Sequence, residues 1–450
     1  MIDLKRMRMA ALALLLAPLA ACSSVPNPLD LFSGDSENAD TAPTDGRVSI
    51  LSFEQRLQIG TDADTPTVTL PPAYVNTVWP QPGGYPTHAL QHTQASGNLA
   101  VAWRHSVGQG SNNDRRLNAR PVIADGHVFA GDASGRISAL DAASGSEVWS
   151  VRLRVPNRYD RMSFGSGLAY DSGRVYAHSG FNFFVALDAA TGAEVWRTET
   201  LVPFHGAPTV ADGRVFVTSD DNELLALDAA TGAVLWAYQG IVETARLLTG
   251  PSPAVLGDIV VAPFASGELV ALRVQNGNPV WSDSLTRGGG LTALSEINDV
   301  AGSPVILDGT VYAMSHSGTL VAIELRTGER VWTQPAGGLH TPWVAGDFLY
   351  IITSEAELVC LNRNSGVVHW MTQLELFENP NRRKNRIAWA GPVLAGGRVF
   401  LASSDGDGVL VNAYDGEIIR QFSLGQSVYV APVIANETVY VVTDEARLLA

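Results

Sequence analysis

The chain has 450 residues, 46% hydrophobic and 17% charged, with 43 glycines, a turn-rich globular composition long enough for one large domain or two to three ordinary ones. A formal net charge of −15 excludes broad nucleic-acid binding, which needs basic patches to neutralise phosphates. Two cysteines, Cys22 and Cys360, exclude a disulfide scaffold and any cysteine-clustered metal site.

Residues 1–21 begin with Lys5, Arg6 and Arg8 and continue as an apolar run. That pattern is a secretory signal, too short for a comfortable membrane span. The run ends Leu19-Ala20-Ala21-Cys22 and resembles a bacterial lipobox. The resemblance implies cleavage before Cys22, diacylglycerol on its thiol and acylation of the new amino group. Two or more acyl chains make a stable anchor where one does not. Ser23 follows the cysteine where inner-membrane retention favours aspartate, so the expected address is the outer membrane, on its periplasmic face. Cys360, left alone in an apolar run, is expected to be buried and inert.

Residues 22–46 are rich in Pro, Ser and Asp and lack an apolar period, which reads as a lipidated flexible tether. Hydrophobics return over 47–97 (Ile50, Phe53, Val75, Trp79) without periodicity, and this extension is expected to lie along the surface of the domain that follows. His88 and His92 are spaced four apart there, but no helical pattern aligns them, so no metal site is expected.

The remainder, 98–450, repeats. A tight two-residue turn recurs as Asp125-Gly126, Ser172-Gly173, Asp212-Gly213, Gly257-Asp258, Asp308-Gly309, Gly346-Asp347 and Gly396-Gly397, with Asn436-Glu437 a degenerate eighth copy. Such pairs supply the positive φ that hairpins require. Four residues before the turn stands proline in every copy but one (Pro121 to Pro432, with Leu168 the exception). Proline suits the first residue of a strand because it donates no amide. A glycine follows the turn by a fixed interval (Gly145, Gly192, Gly232, Gly277, Gly328, Gly366, Gly416), and four residues later comes Trp149, Trp196, Trp236, Trp281, Trp332 or Trp370, then Arg420. Each unit alternates in the strand manner, giving four short strands per repeat, the signature of a propeller blade. The eighth copy stops before its tryptophan, and the missing strand stands at the other end, around Trp103. The expectation is an all-β, eight-bladed propeller of four-stranded blades, its last blade completed by an N-terminal strand that hides a sheet edge.

The run ALDAATGAEVW (186–196) and its copies resemble the tryptophan-docking motif of pyrroloquinoline-quinone-type propellers. Trp103, Trp149, Trp196, Trp236, Trp281, Trp332 and Trp370 are therefore read as structural, each indole burying a face between sheets while its N–H seeks a partner. Arg420 is expected to cap its junction with a packed stem and an exposed head. Quinoprotein dehydrogenases of that family carry an adjacent cysteine pair over the quinone, and this chain has none. No cofactor, metal or catalytic residue is expected.

With the repeat core fixed, variation falls in the connections between blades, which span 10 to 23 residues from tryptophan position to proline position and emerge on one face. Long loops on a rigid scaffold are where binding resides. Lipobox, tether and eight such repeats together resemble the BamB family of outer-membrane assembly lipoproteins. The resemblance implies a non-enzymatic scaffold that binds the POTRA domains of BamA alongside the rest of the barrel assembly complex, with contact to nascent outer-membrane proteins left open. It points to two loops: ETARLLTGPSP (243–253), where Arg246, Leu247 and Leu248 match in kind, and SEINDVAGSP (295–304), where Asp299 matches and Ala301 replaces a second acid. Both are expected to be surface contacts whose substitution leaves folding intact. A third loop gathers Arg382, Arg383, Lys384 and Arg386, a candidate contact for anionic lipid, peptidoglycan or an acidic partner. The alternatives are another envelope-binding propeller and, behind it, a quinoprotein-type enzyme.

Overall fold

Eight four-stranded antiparallel sheets follow one another around an axis, each made of consecutive strands except the last. The computed structural model describes residues 56–61, 67–97, 99–154, 166–243, 247, 249–286 and 297–450. Blade one is Val122–Ala124, His127–Gly131, Arg136–Asp141 and Glu147–Arg152. Blades two to seven repeat that order, starting at Gly167, Thr209, Ala254, Val305, Trp343 and Trp389. Blade eight has Val433–Ala435, Thr438–Val442 and Arg447–Leu449, and its outer strand is Arg104–Ser106 from the other end of the sequence. Arg104 pairs with Leu449 and Ser106 with Arg447, so the ring closes on a seam of main-chain hydrogen bonds.

The repeated residues hold the ring together in one way at seven of the eight junctions. Each indole N–H donates to a carbonyl of the next blade: Trp103 to Ala142 (3.1 Å), Trp149 to Ala189 (2.9 Å), Trp196 to Ala229 (3.1 Å), Trp236 to Val274 (3.0 Å). Trp281, Trp332 and Trp370 do the same to Leu325, Arg363 and Ala413. The acceptor always lies three residues before the turn glycine, and the ring lies against that glycine: a β-carbon on Gly192 would stand 2.7 Å from Trp149 Cε3. Thus the glycine serves both the positive φ of its turn (+72° at Gly192) and the approach of the preceding blade's indole. The turn itself is an Asx-type loop, in which Asp188 accepts from the amide and hydroxyl of Thr191. Those bonds, the hydroxyl's first, hold the Asp188 carboxyl below its ordinary range.

Arg420 breaks the series: it is exposed, with its guanidinium 5.1 Å above the Phe422 ring of its own strand, and it does not close the junction as an indole does. Between blades seven and eight, where no indole docks, a groove of about 540 Å³ opens between Phe422, Val439 and Leu99. Cys360 is buried opposite Trp370, in the slot that alanine fills in most blades. Burial pushes its thiol well up, which leaves it protonated and unreactive.

The stretch expected to run along the surface does not do so over 74–96. It enters the ring at the face bearing the two-residue turns, and Trp79, Leu90, His88 and His92 are buried. It then circles the axis in blade order, taking one main-chain amide from each blade. Carbonyls of Asn76, Trp79, Pro80, Pro86, Thr87 and Thr93 accept from Asn436, Ile123, Tyr170, Val255, Ile306 and Gly396. The side chains of Gln81 and Gln91 accept from Val210 and Gly346. The physical reason is the inner strand of each blade, whose axis-facing amides need acceptors. Pro80 and Pro86 offer carbonyls without bringing an amide of their own to satisfy.

Candidate functional site

The face opposite this inner circle carries the connections between blades, and two of the sequence-predicted loops meet on it. The amide of Leu247 donates to Asp299 Oδ2 at 3.0 Å. Asp299 is not the exposed contact that its sequence suggests: it is 4% exposed, and its carbonyl accepts from the amide of His316 at 2.9 Å. Val300 and Ala301 beside it are buried as well. Asp299 therefore positions the Leu247 amide, and its carboxylate faces inward as that amide's acceptor. Leu247 is half-buried; Arg246, Leu248 and the lipidation candidate Cys22 lie outside the described residues.

Exposed apolar side chains that the motif reading passed over stand on the same face. Ile241 and Val242, each 58% exposed, lead into the Leu247 loop, and Leu201 in the connection from blade two to blade three is 99% exposed. Ile241 is held at both ends, its amide donating to Glu268 and its carbonyl accepting from Asn222. Aliphatic side chains presented on a fixed backbone are the chemistry of a protein-binding surface. A faint signal was present in the sequence, since QGIVETARLL places Ile241-Val242 just beyond the last strand of blade three, where the chain should turn polar.

The basic loop folds into a hairpin, Phe377–Asn379 against Lys384–Arg386, around a short 3-10 turn. Its charge is partly spent within the protein. Arg386 pairs with Glu355 at 3.2 Å, and Arg383 stands 5.8 Å over the Phe377 ring. Arg382 and Lys384 point outward, exposed. Beside the hairpin a cleft of about 640 Å³ is lined by Glu355, Glu357, Glu375 and Arg56. Burial, then the charge of Glu355, raises the Glu357 carboxyl above its ordinary range.

His88 and His92 do not form a pair. The Nδ1 of His88 meets the Pro304 carbonyl at 2.6 Å. His92 meets the Pro71 carbonyl through Nδ1 at 2.6 Å and accepts from Gly397 through Nε2 at 2.8 Å. Among the described residues, no three of His, Cys, Asp and Glu converge as metal ligands do.

A sequence profile described as "Outer membrane protein assembly factor BamB" matches residues 133–372 and 379–450. The chain belongs to the BamB family. BamB of Salmonella typhimurium is 30% identical over 354 residues, 78% of this chain and 88% of the relative. BamB of Legionella pneumophila is 31% identical over 360 residues, 80% of this chain and 89% of the relative. Among solved structures, BamB from Moraxella catarrhalis superposes with a TM-score of 0.67 at 19% identity, covering 78% of this chain and 99% of that one. A europium-containing methanol dehydrogenase gives 0.65 at 14% identity, over 81% and 89%. That second likeness is one of fold. The named BamB relatives are assembly factors of the outer membrane.

Proposed function

We propose that this BamB-family protein is a lipid-anchored scaffold of the barrel assembly machinery, working on the periplasmic face of the outer membrane. Cys22 carries the anchor, and the connections around Ile241, Val242 and Leu247 dock the POTRA domains of BamA. The observation that carries the reading is the Leu247–Asp299 hydrogen bond, which fixes the two connections flanking blade four as one platform beside exposed aliphatic side chains. Interface strength concentrates in a few central residues, and Arg246, Leu247 and Leu248 with Ile241 and Val242 supply an apolar centre with a polar edge. No catalytic step belongs to this reading. Arg382 and Lys384 make a second, electrostatic contact, with lipid head groups or an acidic partner. Affinity purification of the tagged protein from detergent-solubilised membranes, read by mass spectrometry, is expected to recover the POTRA-bearing barrel protein. Recovery of cell-wall or polysaccharide proteins in its place would move the protein to another envelope role.

A further inference from the structure

The residue before the proline position of each blade (Leu168 in blade two) opens the innermost strand, so the eight equivalents stand around the axis of the ring. Seven of the eight are small: Gly167, Ala207, Ser252, Ser303, Thr341, Gly391 and Ala431. The eighth is Arg120. Arg120 lines a small, partly enclosed space of about 30 Å³ together with Trp79, His88 and Thr341. Arg120 has no carboxylate partner among the described residues, and burial draws it down to about 10. Arg120 is itself half-buried, and two fully buried neighbours are unsatisfied: neither Trp79 Nε1 nor His88 Nε2 has a hydrogen-bond partner, although these residues are only 3% and 5% exposed. Buried charges in folded proteins are paired, and buried polar atoms are bonded, because the alternative is costly.

We propose that this axial space is a halide-type anion site, in which a monatomic anion such as chloride is held by the Arg120 guanidinium and the Trp79 indole N–H. Size favours a small ligand: the space of about 30 Å³ has room for a water or an ion of similar size. Chemistry limits it too, since the space is lined by a full positive charge, Arg120, and by the unsatisfied indole N–H of Trp79.

His88 makes the site proton-linked. Its Nδ1–H donates to the Pro304 carbonyl, so the neutral ring turns a bare Nε2 outward, and burial keeps the ring neutral by lowering its pKa to about 4. Arg120 is the charged group facing that ring, and it adds to the lowering. An anion between the two reverses this repulsion and lets Nε2 take a proton and donate. Anion uptake is therefore tighter at lower pH.

The test uses the mature chain. At constant ionic strength, replacing gluconate by chloride is expected to raise the wild-type melting midpoint by about 2 °C for each tenfold excess over the dissociation constant. Arg120→Leu is expected to show no halide response and, in gluconate, to melt no lower than wild type, because a partly desolvated charge without a carboxylate partner has gone. Trp79→Phe keeps the packing and loses the N–H, and is expected to weaken the halide response several-fold. Crystals soaked in bromide are expected to show an anomalous peak on the axis beside Arg120. Arg120→Leu tracking chloride as wild type does would overturn the site, and so would bromide absent from the axis. Should Arg120→Leu not fold, Trp79→Phe and the bromide position in wild type decide the question.

Discussion

A β-carbon on Gly232 would stand 2.4 Å from Trp196 Cε3, at a φ of +76°. Gly213, in the hairpin turn of the same blade, has a φ of +70° with open space around the added carbon. The two glycines share a backbone conformation and differ in what approaches them. Gly213→Ala is expected to cost about 1 kcal/mol, the price of the left-handed conformation alone. Gly232→Ala adds displacement of a docked indole and is expected to cost about 3 kcal/mol, both read from urea denaturation. Histidine gives the second residue-scale expectation. His178 is 1% exposed, its Nε2 meets the Gly206 carbonyl at 2.9 Å, and its ring packs on Phe184 and Phe204. Burial lowers its pKa to about 4, with the field of His205 a smaller cause in the same direction. The unfolded chain therefore binds more protons than the folded one between about 4 and 6.5. Stability is full above the unfolded value and is lost as pH falls through the folded one, by about 3 kcal/mol for this ring. His178→Gln is expected to flatten that part of the stability profile relative to wild type.

At the scale of elements, the sequence discloses what is periodic and conceals what is not. Strands, hairpin turns and docking tryptophans were legible because each repeats at a constant offset, and ring closure followed from the unit split between the two ends. The inner circle over 74–96 was not. Its work is done by main-chain carbonyls and two glutamines meeting amides of all eight blades, and main-chain acceptors leave no hydrophobic period. Asp299 was misread for a related reason: nothing in NDVAG tells an exposed acid from one that satisfies a distant amide. The inner circle ties the blades together at their innermost strands, whereas the indoles reach the turn before the outer strand of the next blade. Removing residues 1–96 is expected to lower the melting midpoint by more than 10 °C and to broaden the transition; removing 1–55 is expected to leave it within about 2 °C. Equal midpoints for the two truncations would deny the circle a structural role. Trp79→Ala within the full chain is expected to cost about 3–5 kcal/mol, as for other large buried side chains.

For the whole molecule, a rigid ring separates three jobs in space: one face is closed by the inner circle, the rim carries the docked indoles, and the opposite face is left to the connections. That separation makes the docking proposal testable by a pair of substitutions with opposite stability signatures. Val242 is 58% exposed, so Val242→Asp is expected to leave thermal unfolding within about 0.5 kcal/mol of wild type. At the centre of an interface it should cost about 2 kcal/mol or more of binding to the POTRA partner, because a charge is then desolvated against an apolar surface. Asp299→Ala is expected to behave differently. It leaves the Leu247 amide without its acceptor, which costs about 1–3 kcal/mol of stability, and it frees the connection that the carboxylate holds. Binding then falls because the platform loses its shape, although Asp299 itself is buried. Measured by titration of purified components, loss of binding in both variants with loss of stability in Asp299→Ala alone supports this face as the dock and Asp299 as its positioning residue. Full binding by Val242→Asp moves the dock away from blades three and four, and the exposed Arg382 and Lys384 of the basic hairpin become the next surface to substitute.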